Sequence, residues 1–179
     1  MKLIIAPNKI LRQRAKDVTF PISDEDKLTI NTMIKHIDDS QSSKSKLRAG
    51  AGIAAPQLGV SKRMFYINVP ENDLIPEFKE FLINPIIVAE SQSWTALESG
   101  EGCLSVDEND TNTEGLVHRR FKIIMKGYSY FAKKDVTITK TGYHSVVLQH
   151  EYDHLNGVLF VDKIHKKNKW LKKDNETLL

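Results

Sequence analysis

Gln149-His150-Glu151-Tyr152-Asp153-His154-Leu155-Asn156-Gly157 is the stretch around which the rest of the chain can be organised. Written as a helix, it sets His150 and His154 about 40° apart in azimuth and roughly 6 Å apart in height, so two imidazoles can reach one cation. Glu151 stands about 60° from His154 on the same side, where it can lie beside an ion without binding it. That is where a general base belongs. Gly142 precedes the segment and Gly157 suits a left-handed C-terminal cap, which predicts a helix over residues 143–156. Without a metal, the same histidines would simply be solvated on a polar helix face.

A catalytic ion needs a third protein ligand. Metzincin proteases place a third histidine six residues beyond the second; here that position is Phe160, which excludes them. Gluzincin proteases take a glutamate from a later helix. Glu176 has about the right separation, but it lies in a lysine-rich terminus expected to fray. His144 faces away, about 240° round from His150. His118 is followed by Arg119 and Arg120, poor company for a dication. Cys103 remains, within Glu101-Gly102-Cys103-Leu104-Ser105. One sulfur and two imidazoles leave a fourth position open, the arrangement of a catalytic site and not of a closed structural one. As the single cysteine, Cys103 can form no internal disulfide.

Upstream, Ser23-Asp24-Glu25-Asp26 opens a helical stretch, with a serine able to cap and acids at the positive helix end. Ile30, Met33, Ile34 and Ile37 form one apolar stripe, and the helix should end near Asp39, before a polar loop over residues 40–46. Arg63-Met64-Phe65-Tyr66-Ile67-Asn68-Val69 reads as a strand. Phe81-Leu82-Ile83-Asn84-Pro85-Ile86-Ile87-Val88 contains a proline and is expected to bend or to lie at an edge. Phe121-Lys122-Ile123-Ile124-Met125-Lys126 and Val136-Thr137-Ile138-Thr139 alternate as half-buried strands do. Helices near both ends with strands between them imply an α+β fold, largely antiparallel sheets packed around a central metal-binding helix.

The 179 residues suit one domain, 40% hydrophobic and 27% charged. No apolar run exceeds about four residues, so nothing spans a bilayer. The short run after Met1 is no signal peptide, and a cytoplasmic location is expected. A net charge of +3 against 26 basic and 23 acidic residues does not by itself argue for nucleic acid, and no specific DNA target is expected. The charge is uneven, however. Lys163, Lys166, Lys167, Lys169, Lys172 and Lys173 crowd the terminus, either as a solvated segment or as a contact for an anionic surface.

Three motifs stand in order along the chain: Gly50-Ala51-Gly52-Ile53-Ala54-Ala55-Pro56-Gln57, then Glu101-Gly102-Cys103-Leu104-Ser105, then Gln149-His150-Glu151-Tyr152-Asp153-His154. Together they resemble the peptide deformylases. Leu47-Arg48-Ala49, Val106-Asp107 and Gly115-Leu116-Val117-His118-Arg119 resemble the bacterial subclass common in Gram-positive organisms. The resemblance spans about residues 3–165. It implies a catalytic domain over residues 1–165 followed by a basic tail over residues 166–179.

The resemblance also implies hydrolytic removal of formate from the N-terminal formylmethionine of nascent polypeptides, with Fe2+ as the physiological ion and Zn2+, Ni2+ or Co2+ as replacements. The donor set alone accepts several of these ions. Matched residue by residue, Cys103, His150 and His154 are the metal ligands and Glu151 the catalytic acid/base. Gln57, through its side-chain amide, and Leu104, through its backbone N–H, would stabilise the oxyanion. Backbone around Gly52 and Gly102 would pair with an extended substrate, and Val146 and Val147 would line the methionine pocket. Ala51 stands where relatives often carry a bulkier Val or Ile. Family members act on nascent chains, so a ribosome contact through the basic terminus is compatible with catalysis. Two competing readings are a zinc endopeptidase using His150, His154 and Glu176, and a non-catalytic binder acting through the basic terminus.

Overall fold

The computed structural model describes residues 2–107 and 113–179. Its frame is a five-stranded antiparallel sheet in the order β1-β2-β3-β6-β7, where β1 is Gly52–Ala54, β2 Met64–Val69, β3 Phe78–Glu90, β6 Lys122–Ser129 and β7 Lys134–Thr141. A smaller sheet holds β5 (Arg119–Arg120), β4 (Trp94–Ala96) and β8 (Glu176–Leu178), with β4 and β8 parallel. The α+β architecture with largely antiparallel sheets is as expected. Among the described residues no helix is long and apolar enough to cross a membrane.

Helix α1, Asp24–Ser40, starts as its sequence dictates: the Ser23 hydroxyl accepts from Asp26 N–H at 3.1 Å, and Asp24, Glu25 and Asp26 fill the first turn. Its stripe of Ile30, Met33 and Ile37 is fully buried against Ile53, Met64, Tyr66, Phe81 and Ile83, on one side of the large sheet. The other side is covered by α2, Gly142–Leu155, whose Val147, Leu148 and Leu155 meet Phe65, Ile67, Val69, Leu82 and Met125. Strand β2 therefore packs on both faces. Its unbroken Met64-Phe65-Tyr66-Ile67 run follows from that, since a strand covered on both sides has no polar face to alternate with.

β3 corrects one alternative for the proline-containing stretch. It is the middle strand of five, not an edge. The expected bend is there instead: pairing with β6 slips between Ile83 and Ile86, so Pro85, which has no N–H to give, falls at an irregularity. Asn84 takes φ 51°, a left-handed conformation that asparagine tolerates. Its amide is held there by accepting from Val18 N–H at 2.8 Å and donating to Val18 O at 2.9 Å.

The terminus expected to fray does not. Residues 176–178 add β8 alongside β4, and Trp94 is clamped between the cations of Arg120 and Lys173, at 3.8 and 3.5 Å from its ring centroid. Glu176 is buried, meeting His118 Nδ1 and accepting from Lys173 N–H at 2.9 Å. Backbone pairing and a buried acid with partners hold the segment against its own lysine repulsion.

Candidate metal centre

Helix α2 runs through the middle of the molecule, with nine of its fourteen residues buried. It ends against the N-terminal part of the chain. Gly157 adopts φ +73°, and a side chain there would fall 2.6 Å from the backbone carbon of Arg12, so only glycine lets the two backbones meet. Just beyond, Ala15 N–H donates to Leu155 O at 2.9 Å, and the buried Arg63 guanidinium donates to the same carbonyl at 3.0 Å. Both bonds go to one of the carbonyls left open at the helix end.

Cys103, His150 and His154 converge: one ligand atom from each lies within 4.8 Å of the others, and Cys103 Sγ stands 3.3 Å from His154 Nε2. Ligands bonded to one ion at about 2.0–2.3 Å span tetrahedral edges of roughly 3.5 Å. The three atoms thus fit a single divalent ion with a small adjustment, and leave a fourth direction open. No other such cluster occurs among the described residues. Glu176, bound to His118 and Lys173, is outside it. His144 turns away as expected, its Nε2 2.9 Å from Pro76 O and its ring against Phe78. Phe160, at the position of the metzincin histidine, stacks on the His150 ring with centroids 6.0 Å apart.

Behind His150 lies a network that the motifs did not announce. His150 Nδ1 is 2.8 Å from Glu101 Oε2, and a carboxylate on Nδ1 fixes the tautomer that leaves Nε2 for a metal. Glu101 is itself gripped by both arms of Arg119, at 2.7 and 2.9 Å, and the third Arg119 nitrogen reaches Asp153 on α2. Burial alone would raise the Glu101 pKa, but the Arg119 charge and the hydrogen bonds outweigh it and hold the carboxyl down at about 2. Arg119 is the largest fully buried side chain among the described residues. A guanidinium can sit there only because two carboxylates answer it. The signal available from sequence was Glu101 beside the cysteine with an arginine to spare in Arg119-Arg120; the pairing itself is tertiary.

Gln57 follows β1 in a short 3-10 turn, Ala55–Leu58. Its Oε1 accepts from Ala54 N–H at 2.8 Å, which turns Nε2 towards Ser105 Oγ (3.2 Å) and Cys103 Sγ (3.7 Å). Ser105 N–H also points at that sulfur, at 3.4 Å. Glu151 is buried beside the cluster, and among the described residues its Oε2 has no hydrogen-bond partner, an uncommon and costly state for a carboxylate. Burial pushes its pKa up to about 7, the range that suits proton exchange at neutral pH. A Cβ on Gly52 would lie 2.7 Å from Glu151 Oε1, so the glycine makes room for this carboxylate.

A cleft of about 300 Å³ opens over the site. Gly52, Gln57, Gly102, Cys103, Leu104, Val146, Val147, His150 and Glu151 all line it; of the residues singled out by sequence only His154 lies behind. Arg48, Leu97 and Tyr143 are also among its walls, and the sequence alone assigns none of them a role in the site. None carries a chemical signal of its own, so only the fold brings them to the cleft.

Residues 1–170 match the family described as polypeptide deformylase. A peptide deformylase of Mycoplasmopsis pulmonis is 42% identical over an alignment 184 positions long, gaps included, that covers 95% of this chain and 93% of that protein. One from Limosilactobacillus reuteri is 46% identical over an alignment 165 positions long that covers 89% of this chain and 87% of its own. Among solved structures, the class I type b peptide deformylase of Acinetobacter baumannii with Met-Ala-Ser bound aligns with a TM-score of 0.76 at 28% identity. The alignment covers 92% of this chain and 98% of that one.

Proposed function

The chain belongs to the polypeptide deformylase family, metallo-hydrolases that remove the N-terminal formyl group from nascent peptides, and from that premise we propose that Cys103, His150 and His154 hold its divalent ion while Glu151 moves the proton. The observation that carries this assignment is the S, N, N cluster with one buried carboxylate beside it, an oxygen of which is unpartnered among the described residues, in the wall of a cleft. An ion bound there supplies Lewis acidity and brings the pKa of water down to about 7.

Glu151 takes a proton from the attacking water and delivers it to the departing amine, as the C–N bond to the formyl carbon breaks and formate leaves. Charge develops on the formyl oxygen during attack. Gln57 Nε2 and Leu104 N–H donate to it, and preorganised donors of this kind are worth about 3–4 kcal/mol each. Val146 and Val147 receive the methionine side chain. Backbone at Gly52 and Gly102 pairs with the peptide; the edge of β1 that faces away from β2 has no strand partner among the described residues.

Fe2+ is proposed as the ion used in the cell, with Zn2+, Ni2+ and Co2+ as replacements, and the cytoplasm as the location. Assignment to the Gram-positive-type subclass rests on Leu47-Arg48-Ala49, Val106-Asp107 and the stretch from Gly115 to Arg119. Residues 1–165 are assigned as the catalytic unit, with residues 166–179 as a basic appendage docked on it. A chelator-stripped sample should release no formate from formyl-Met-Ala-Ser, and anaerobic reloading with Fe2+ should restore release. Release that persists after the metal is removed overturns the assignment.

The basic appendage is proposed to touch the ribosome. Lys166, Lys167 and Lys172 are exposed, and Lys172 lines a concave surface together with His118, Lys163, His165, Leu171, Lys173 and Asp174. Changing Lys166, Lys167 and Lys172 to Glu should weaken co-sedimentation with ribosomes, and most at low salt. Unchanged co-sedimentation removes the contact.

A further inference from the structure

The two groups assigned to the oxyanion sit on loops far apart in sequence, the turn Ala55–Leu58 and the segment 101–106. Their mutual distance decides whether one oxygen can meet both donors. The direct links between these loops are the contacts of Gln57 Nε2 with Ser105 Oγ and Cys103 Sγ. Those links are made by the very amide that must turn to the substrate. Once it does, they weaken at the moment when the spacing matters most.

A second set of links does not use that amide. The N–H of Ile4 donates to Gln57 O at 2.8 Å, and the N–H of Ala6 donates to Ser105 O at 2.9 Å. Residues 4–6 thus bridge the two loops with consecutive same-side donors of an extended segment. Among the described residues the intervening Ile5 N–H has no partner, and its side chain is half exposed. The side chains of Ile4 and Ala6 pack into the same apolar cluster as Cys103 and Val106. From the far side, Arg48 donates to Cys103 O at 2.8 Å and to Val106 O at 3.4 Å. The backbone carbonyls of Cys103, Ser105 and Val106 are therefore all engaged.

We propose that Ile4 and Ala6 are positioning residues for deformylation, a strap whose two backbone donors keep the Gln57 turn and the Cys103–Ser105 segment at the spacing that a single oxyanion requires. This rests on the reading of Gln57 and Leu104 as the oxyanion donors. The strap touches neither substrate nor metal. Its effect is on preorganisation, where a displacement of about 1 Å can cost on the order of 100-fold in rate.

Proline substitution removes one donor at a time. Ile4→Pro and Ala6→Pro should each lower kcat by roughly 10- to 100-fold, with KM for formyl-Met-Ala-Ser and metal content close to the parent's. Affinity for a peptide phosphonate that mimics the tetrahedral state should fall in step with kcat, whereas affinity for the product Met-Ala-Ser should not. Ile5→Pro, which removes neither bond, should behave as the parent. Gln57→Ala, measured in parallel, separates the two layers of the argument. A normal kcat in Gln57→Ala overturns the oxyanion reading and the strap with it. An impaired Gln57→Ala beside normal Ile4→Pro and Ala6→Pro overturns the strap alone.

Should the proline variants fail to fold, amide exchange on the unaltered protein decides. Phosphonate binding should slow exchange at Ile4 and Ala6 and leave Ile5 unaffected, because coupling between the sites is reciprocal. Equal exchange with and without the phosphonate overturns the strap.

Discussion

Cys103→Ala is expected to yield a folded protein that no longer retains its ion and releases no formate above background. Among the described residues the sulfur is one of three donors brought together, and it is the one that comes from outside α2. Loss of an outer-shell partner alone typically weakens metal binding by roughly 10–100-fold. Loss of a ligand from a three-donor site exceeds that. The fold should tolerate the change, because the side chain is small and its removal from the cluster of Leu11, Val117 and Phe160 costs about 1 kcal/mol. Elemental analysis after anaerobic loading, with thermal unfolding as the control, checks both halves. One equivalent of ion in the variant contradicts the assigned ligand set.

The counterpart is Glu151→Ala, which should keep the ion and lower formate release by about 100- to 10,000-fold, the usual share of general acid–base catalysis. Stability should hold or rise. One oxygen of this buried carboxylate is unpartnered, so removing the group discards a desolvation penalty and leaves no donor stranded. Glu151→Gln keeps the shape and should lose as much rate, which distinguishes proton transfer from packing against Gly52. A rate within tenfold of the parent in both variants would sink the assigned role.

The local features were legible in the sequence. Four-residue spacing put both histidines on one face, the Ser23 cap and the Ile30, Met33, Ile37 stripe gave α1, and Gly157 marked the end of α2. Cysteine chemistry selected Cys103 without any geometry. What escaped depends on separation along the chain. Strand β8 pairs with β4 across some eighty residues, Thr95 beside Thr177, and neither stretch has an apolar rhythm strong enough to show. Arg119 was set aside as a charge hostile to a dication. Its charge is answered by Glu101 and Asp153, and through Glu101 it orients the His150 ring. Pro85 offers two alternatives from sequence, an edge or a bend, and only the register slip beside it, which takes its missing N–H out of the ladder, decides for the bend.

The shortness of β1 has a consequence for what such an enzyme can be selective about. Gly52–Ala54 offers three residues of open edge, about 10 Å of track at some 3.3 Å per residue. On the proposed pairing, a chain laid against it would be read for its leading residue and a neighbour or two, with the rest left in solvent. A gauge that short cannot distinguish one protein from another, which is the breadth that acting on the N-termini of nascent peptides demands.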